Sequence, residues 1–380
     1  MTAKARDAYL FLSFLQARVG TSVVRRLGDL EDVVGVLEMP AVELAERARL
    51  TEKARRDFDD LKKTFNSEEI LARLEEKSLK AVTLADEDYP EKLAEIPDPP
   101  PALFIDGEVP DRGSLAGPAV ALVGSRKASV TGLEAARNLG RVLGESGVCV
   151  VSGLALGIDA VAHEGAVEAG GPTVGVLGSG IDVVYPKSNR RLFGSVAGSG
   201  AVVSEYYLGE PPLAWRFPAR NRIIVGLSDA VVVVEAPEKS GALITARHAL
   251  EAGRDVWAVP GPIGFAECRG SNALLADGAG VIWDIDLFVD TVAPSRKIPP
   301  RLSVAGDAET VPVPAELPEK EAAALVGVGF EPTEVDVIAG RSGVEMRELL
   351  PALALLELKG YVRRDASGAF ARNPGTGGAP

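Results

Sequence analysis

Seven short apolar runs constrain this chain more than any other feature. From Ala119 onward the sequence reads AVALVG, VCVVSG, PTVGVLG, AVVSE, DAVVVVE, DVWAVPG and GVIWD, with helical segments between most of them. β-Branched runs without polar alternation belong to parallel strands covered on both faces. Right-handed crossovers then make an open, doubly wound α/β sheet spanning about residues 115 to 290. The preceding segment from Leu79 to Gly107, LKAVTLADEDYPEKLAEIPDPPPALFIDG, supplies edge strands around a proline-rich bend.

In such a sheet, ligands bind beyond the carboxyl ends of the strands, where helix N-termini present free N–H groups. Four loops meet that description. Gly124-Ser125-Arg126 follows the first strand, and the expected helix after it carries Leu133, Ala136, Leu139 and Leu143 on its apolar face. Gly153 to Gly157 follows the second strand and leads to a helix expected from Asp159. Gly178-Ser179-Gly180 follows the third, and Ser240-Gly241, with Thr245 one turn on, opens a fourth helix. Together they predict an anion-binding crest.

A fifth stretch adds cations and rings. LAWRFPARNRIIVGLS, residues 213 to 228, holds Arg216, Arg220 and Arg222 with Trp215 and Phe217 and no acidic residue, in a chain of formal net charge −13. Guanidinium forks among aromatic rings suit a single-stranded polynucleotide, phosphates on the forks and bases on the rings. The competing reading is an arginine-rich loop neutralised by acids such as Glu205 and Glu235. The four neighbouring loops favour the first. The acidic balance argues against diffuse adhesion to nucleic acid or anionic membrane and leaves one confined groove.

Nucleotide-cofactor motifs are missing. The first loop has Arg126 and Ser129 where a dinucleotide fingerprint needs glycines, and no Walker A lysine loop occurs. Ser152, Asp159 and His163 lie close in sequence, but Ser152 has no nucleophile-elbow context. Asp159 reads as an acid in a helix's first turn, and His163 as a residue making one buried hydrogen bond. With two histidines, His163 and His248, and two cysteines, Cys149 and Cys268, no zinc site or disulfide framework is expected. Cys149 reads as a buried reduced thiol. No cofactor or catalytic residue is predicted. The absence of a signal peptide or long apolar span points to a cytoplasmic, membrane-free protein.

Flanking modules complete the division. Residues 1 to 75 read as helical, with Leu10, Phe11, Phe14 and Leu15 at helical spacing, in a small bundle of degenerate helix-hairpin-helix (SAM-like) character with a lone Gly20. Residues 76–290 form the Rossmann-like domain and 291–315 a proline-containing linker. Residues 316–373 read as helix, helix, helix and hairpin, a winged helix with core Leu349, Leu353 and Leu356 and a bend expected at Pro351. Its recognition helix is too acidic for a major groove, which favours protein contact or packing. Residues 374–380 read as a disordered tail.

The motifs VALVGSRKAS, VVSGLALGIDAVAHEGAVEAGG, VGVLGSGIDVVYPKSN, SEYYLGEPPLAWRFPARNRIIVGLS and VVVVEAPEKSGALITARHALEAGRDVWAVPG occur in the order found in the DNA-processing protein A (DprA/Smf) family, which this chain resembles over nearly its whole length. The resemblance implies an extended Rossmann domain that binds single-stranded DNA, loads RecA recombinase and protects incoming strands during natural transformation. It also implies a homodimer through the central domain. The implied strand-binding residues are Gly124, Ser125, Arg126, Gly153, Gly157, Phe217, Arg220, Asn221, Arg222, Ser240 and Gly241. Leu156 stands where the family usually carries Arg or Lys. The winged helix varies within the family, so no role is carried over to it. A nucleoside-monophosphate phosphoribohydrolase would need a PGGxGTxxE loop, and EKSGALITAR lacks its double glycine and final acid. A purely protein-binding scaffold is the third reading.

Overall fold

The structure is a computed structural model that describes residues 3–19, 33–47, 49, 51–108, 117–293, 317–329, 333–364 and 368–372. It divides into two units, Met1–Arg296 and Lys297–Pro380.

The first unit is built on nine strands: β1 Lys80–Thr83, β2 Ala102–Gly107, β3 Ala119–Val123, β4 Cys149–Ser152, β5 Thr173–Val176, β6 Gly200–Ser204, β7 Ala230–Val233, β8 Asp255–Ala258 and β9 Gly280–Val281. Their order across the sheet is β1-β2-β6-β5-β4-β3-β7-β8-β9. The seven apolar runs are β3 to β9, and all of these pair in parallel. The proline-rich segment adds β1 and β2, antiparallel to each other, with β2 antiparallel to β6. Every residue of β3, β4, β5 and β7 is buried, which is why these runs do not alternate.

The chain leaves β3 for β4, β5 and β6 on one side and returns to β7 on the other. That reversal is the topological switch point, and it separates the loops leaving β3 and β7 to open a crevice at the sheet's carboxyl edge.

Helices Ala3–Val19, Glu52–Thr64 and Ser67–Glu75 precede the sheet, with the short Gly35–Glu38 and Ala41–Arg47 between them. The first helix is apolar on two faces. Phe11 and Leu15 pack with Val36, Leu44, Phe58 and Leu61, while Leu10 joins Phe104, Leu154, Leu177 and Ile181 against the sheet. The N-terminal helices therefore share a core with the sheet. The expected turn at Gly20 lies outside the described residues.

The second unit has helices Glu319–Gly327, Val335–Ser342 and Met346–Leu358, then the antiparallel pair β10 Val362–Arg364 and β11 Phe370–Arg372. Leu349, Leu353 and Leu356 are fully buried in its core, as their spacing predicts. Pro351 sits inside a helix that continues through it. Most of the expected linker and the terminal tail lie outside the described residues.

Candidate nucleic-acid interface

A cleft of about 720 Å³ opens at the switch point. Eight of the sequence-predicted residues line it: Gly124, Ser125, Arg126, Phe217, Arg220, Asn221, Ser240 and Gly241. Gly153, Gly157 and Arg222 do not line it.

The first loop is longer and more constrained than its sequence suggests. Its helix, Val130–Glu145, begins six residues after Gly124, and Ser129 caps it by accepting from the Gly132 N–H at 3.0 Å. Glu235, at the end of the β7 run, accepts from the Ser129 N–H at 2.8 Å and from its hydroxyl. A protein carboxylate thus occupies the helix start where an incoming phosphate was expected. The Ser125 N–H is also used, donating to the Glu235 carbonyl at 2.7 Å and tying the two loops across the crevice. Ser125 Oγ accepts from the Lys127 N–H at 3.1 Å. What this loop offers a ligand is therefore its side-chain cations, Arg126 and Lys127, both exposed.

The second loop supports the first from below. Gly157 has φ +79°, and a Cβ there would lie 2.3 Å from the Ser125 carbonyl. Only glycine allows both the left-handed backbone and that approach. Leu154 also has positive φ, 52°, strain of about 1 kcal/mol that its complete burial offsets. Asn189 donates to the Leu154 carbonyl at 3.0 Å and fixes the bend. Leu156 is exposed, so the family's usual cation at this position would face solvent.

The arginine stretch folds as a helix, Arg216–Gly226, and buries all three guanidinium groups. Arg216 lies 4.1 Å over the Tyr206 ring, donates to the Ala17 and Pro211 carbonyls and pairs with Glu210 at 2.8 Å. Arg222 pairs with Glu205 at 2.7 Å and Asp98 at 3.2 Å. Burial opposes its charge, but the two carboxylates outweigh burial and hold it protonated. Of the two acids named as neutralising partners, Glu205 pairs with an arginine and Glu235 caps a helix instead. Arg220 reaches the cleft floor, donating to the carbonyls of Gly153, at 2.8 Å, and Val176. Burial lowers its pKa to about 10, with buried Asp159 opposing that shift, so it stays charged at neutral pH. Burial raises the Asp159 carboxyl, and Arg220 pulls it back. Asp159 is thus the counter-charge of Arg220, which its place in a first helical turn does not reveal.

The open positive charge comes from elsewhere. Among the described residues, Arg126, Lys127 and Lys239 line the cleft without an ion pair. Residues 124–133, 211–228 and 239–250 contain no acid, leaving Glu267 and the compensated Asp159 as the carboxylates at the wall. Arg126 lies 5.4 Å from the Phe217 ring centre, and the Tyr185 ring centre also lies 5.4 Å from that of Phe217. Tyr185 is 45% exposed. Two rings and a guanidinium therefore stand together at the mouth. Sequence reasoning singled out neither Tyr185, Lys127 nor Lys239, although the YPK and SRK triplets that hold two of them belong to motifs it used. Ser240 caps the helix Gly241–Glu251 through the Ala242 N–H, and Gly241 has open space beyond its Cα. The Asn221 side chain accepts from Arg220 Nε at 3.2 Å.

The remaining polar groups support the fold. Ser152 donates to the Leu122 carbonyl at 2.6 Å, and His163 Nδ1 lies 2.7 Å from Thr173 Oγ1, so no nucleophile–base pair forms. Burial pushes the Cys149 thiol up to about 12. No group of metal-binding side chains occurs among the described residues. No described helix is long and apolar enough to cross a membrane.

Comparison with known proteins identifies the family to which the fold belongs. Residues 80–293 match the family described as DNA recombination-mediator protein A, and residues 308–368 match the DprA winged helix domain. Protein Smf of Synechocystis is 34% identical over 97% of this chain and 100% of its own length. DNA processing protein DprA of Streptococcus pneumoniae is 44% identical over 53% of this chain and 70% of its own. The X-ray structure of the S. pneumoniae protein superposes with a TM-score of 0.61 at 34% identity, covering 73% of this chain and 95% of that one. DNA processing protein A of Helicobacter pylori, whose structure concerns its single-stranded DNA binding mode, superposes with a TM-score of 0.52 at 30% identity, over 57% and 96%. With its doubly wound sheet, its winged helix and matches spanning most of its length, this chain belongs to the DNA recombination-mediator protein A family, whose members are named DprA or Smf.

Proposed function

We propose that this chain binds single-stranded DNA in the switch-point cleft and serves as a cytoplasmic, non-enzymatic recombination mediator that loads RecA during natural transformation. The observation that carries the binding reading is the cluster of Arg126, Lys127 and Lys239 beside Phe217 and Tyr185 in one cleft. Unpaired cations take phosphates, and the exposed Tyr185 ring with the half-buried Phe217 ring beside it can take bases without regard to sequence. Arg126 contacts a phosphate, Phe217 and Tyr185 stack, and Asn221 with the Ser240–Gly241 helix start contributes hydrogen bonds. Arg220 adds positive potential from the floor. Gly124, Ser125, Gly153, Gly157 and Arg222 act by shaping and holding the crest.

RecA loading, strand protection and homodimerisation through the central domain rest on the family. Dimerisation has support in the exposed Ile263, Phe265 and Trp283, which follow the carboxyl ends of β8 and of the edge strand β9. The central segment, 76–290, carries the cleft in this reading, with 1–75 and 316–373 as accessory modules.

The test is fluorescence anisotropy of a labelled oligo-dT with unlabelled duplex as competitor, on wild type and Arg126→Ala. Arg126 is exposed and unpaired, so its removal reports on binding without disturbing the core. Tight binding that duplex does not displace and that the variant weakens supports the proposal. Equal or absent binding in both proteins would return the cleft to an enzyme or scaffold reading.

A further inference from the structure

The helix Met346–Leu358 stands in the recognition position of the winged helix, yet its outer face is apolar. Leu349, Leu353 and Leu356 fill the core on one side. Met346, Leu350, Ala354 and Leu358 recur every fourth residue on the other side, all exposed, with Leu358 at 85%. Residues spaced by four form one ridge along a helix, the kind that packs into the matching groove of another helix. A contiguous apolar ridge in water marks an association surface.

The ridge is complementary to itself. In an antiparallel copy related by a twofold axis through the helix middle, Met346 faces Leu358, Leu350 faces Ala354, and Arg347 faces Glu357. Large meets small at the centre, so the helix axes approach closely, and opposite charges meet at both ends. A slip of one turn in either direction sets Arg347 against Leu353 or Tyr361 and leaves Glu357 unmatched. Arg347 has only an exposed pairing to Glu345, at 2.9 Å, and Glu357 makes no ion pair among the described residues. Exposed pairs of that kind exchange at little cost. Glu357 on the same face also repels a DNA backbone.

We infer that the outer face of Met346–Leu358 joins two copies of this chain in an isologous, antiparallel contact. The contact is separate from the cleft and from any dimer made by the central domain, and with such a dimer it links pairs into longer assemblies.

Site-directed cross-linking of the full chain tests the register. Arg347→Cys and Glu357→Cys proteins are treated with a short bismaleimide, each alone and mixed; native Cys149 and Cys268 are buried. The mixture should give covalent dimer at least several-fold above either protein alone, because identical positions lie far apart along the antiparallel pair. Adding Leu350→Glu should abolish it. Equal yields from single and mixed samples, no linkage in the mixture, or linkage that survives Leu350→Glu would each overturn the inference. Oligo-dT anisotropy on the Leu350→Glu chain should match wild type, which keeps this result apart from that of the cleft.

Discussion

Arg220 donates through Nη1 to the carbonyl of Gly153 at 2.8 Å, fastening the helix Arg216–Gly226 to the loop that supports the crest. A Cβ on Gly153 would lie 2.4 Å from Arg220 Nη2 and 2.6 Å from Asp159 Oδ2. The glycine, the arginine and the carboxylate thus form one joint beneath the cleft. It fixes a buried cation where the sheet, the second loop and the cleft-lining helix converge.

That joint makes Gly153→Ala a damaging substitution. The methyl has no room, so the buried Arg220 and Asp159 side chains must shift or the loop must move, at about 1–3 kcal/mol. Thermal melting should drop by several degrees, and oligo-dT affinity should fall with it because the loop carrying Arg126 rests on this one.

Arg126→Ala should separate binding from stability. Arg126 is exposed and touches the protein mainly through Phe217, so the melting temperature should stay close to wild type. Each phosphate contact on a single strand contributes about 0.7 to the slope of log affinity against log salt. The variant's slope should be shallower by about that amount. An unchanged slope would remove Arg126 from the binding surface.

Much of this architecture was legible because it rests on local chemistry. The runs from Ala119 to Val281 announce themselves as parallel strands through their unbroken apolarity, and the Leu349, Leu353 and Leu356 spacing announces a helix core. The insertion of β2 beside β6 was not legible, since pairing partners nearly a hundred residues apart leave no local mark. The arginines misled for a related reason. Arg216, Arg220 and Arg222 look alike in sequence, and only the fold brings Glu210, Asp159 and Glu205 to them. Tyr185 escaped notice because its place at the cleft mouth depends on packing against Phe217, which lies 32 residues further along the chain.

Arg222 and Glu205 offer a test of that structural reading. Removing a guanidinium from a pair buried this deeply leaves Glu205 charged and without its cation, at about 3–5 kcal/mol. Arg222→Ala should lower the urea midpoint sharply. The double variant Arg222→Met/Glu205→Leu should recover part of that loss, since it removes both charges. Recovery of folding together with near-normal oligo-dT affinity would show that Arg222 supports the crest from beneath. A folded double variant that fails to bind would assign it a direct contact.

The buried histidine predicts how the fold responds to acid. Thr173 Oγ1 donates to the Val150 carbonyl at 2.8 Å, so it meets His163 Nδ1 with a lone pair and the ring donates to it. Burial lowers the His163 pKa from 6.5 to about 3. Between those values the unfolded chain binds a proton that the folded chain refuses, so stability rises with pH across this window and is lost on acidification. A gap of that size is worth on the order of 5 kcal/mol. Asp159 acts with the opposite sign. Burial raises its carboxyl above the ordinary 3.8, so the folded state holds that proton more tightly and loses stability as pH rises through the raised value. Urea midpoints measured from pH 7.5 down to 4.5 should separate the two. His163→Gln should flatten the fall toward acid, while Asp159→Asn should steepen it by removing the opposing contribution. A wild-type midpoint that stays level from pH 6.5 to 4.5, with His163→Gln parallel to it, would mean that His163 can take a proton inside the folded protein.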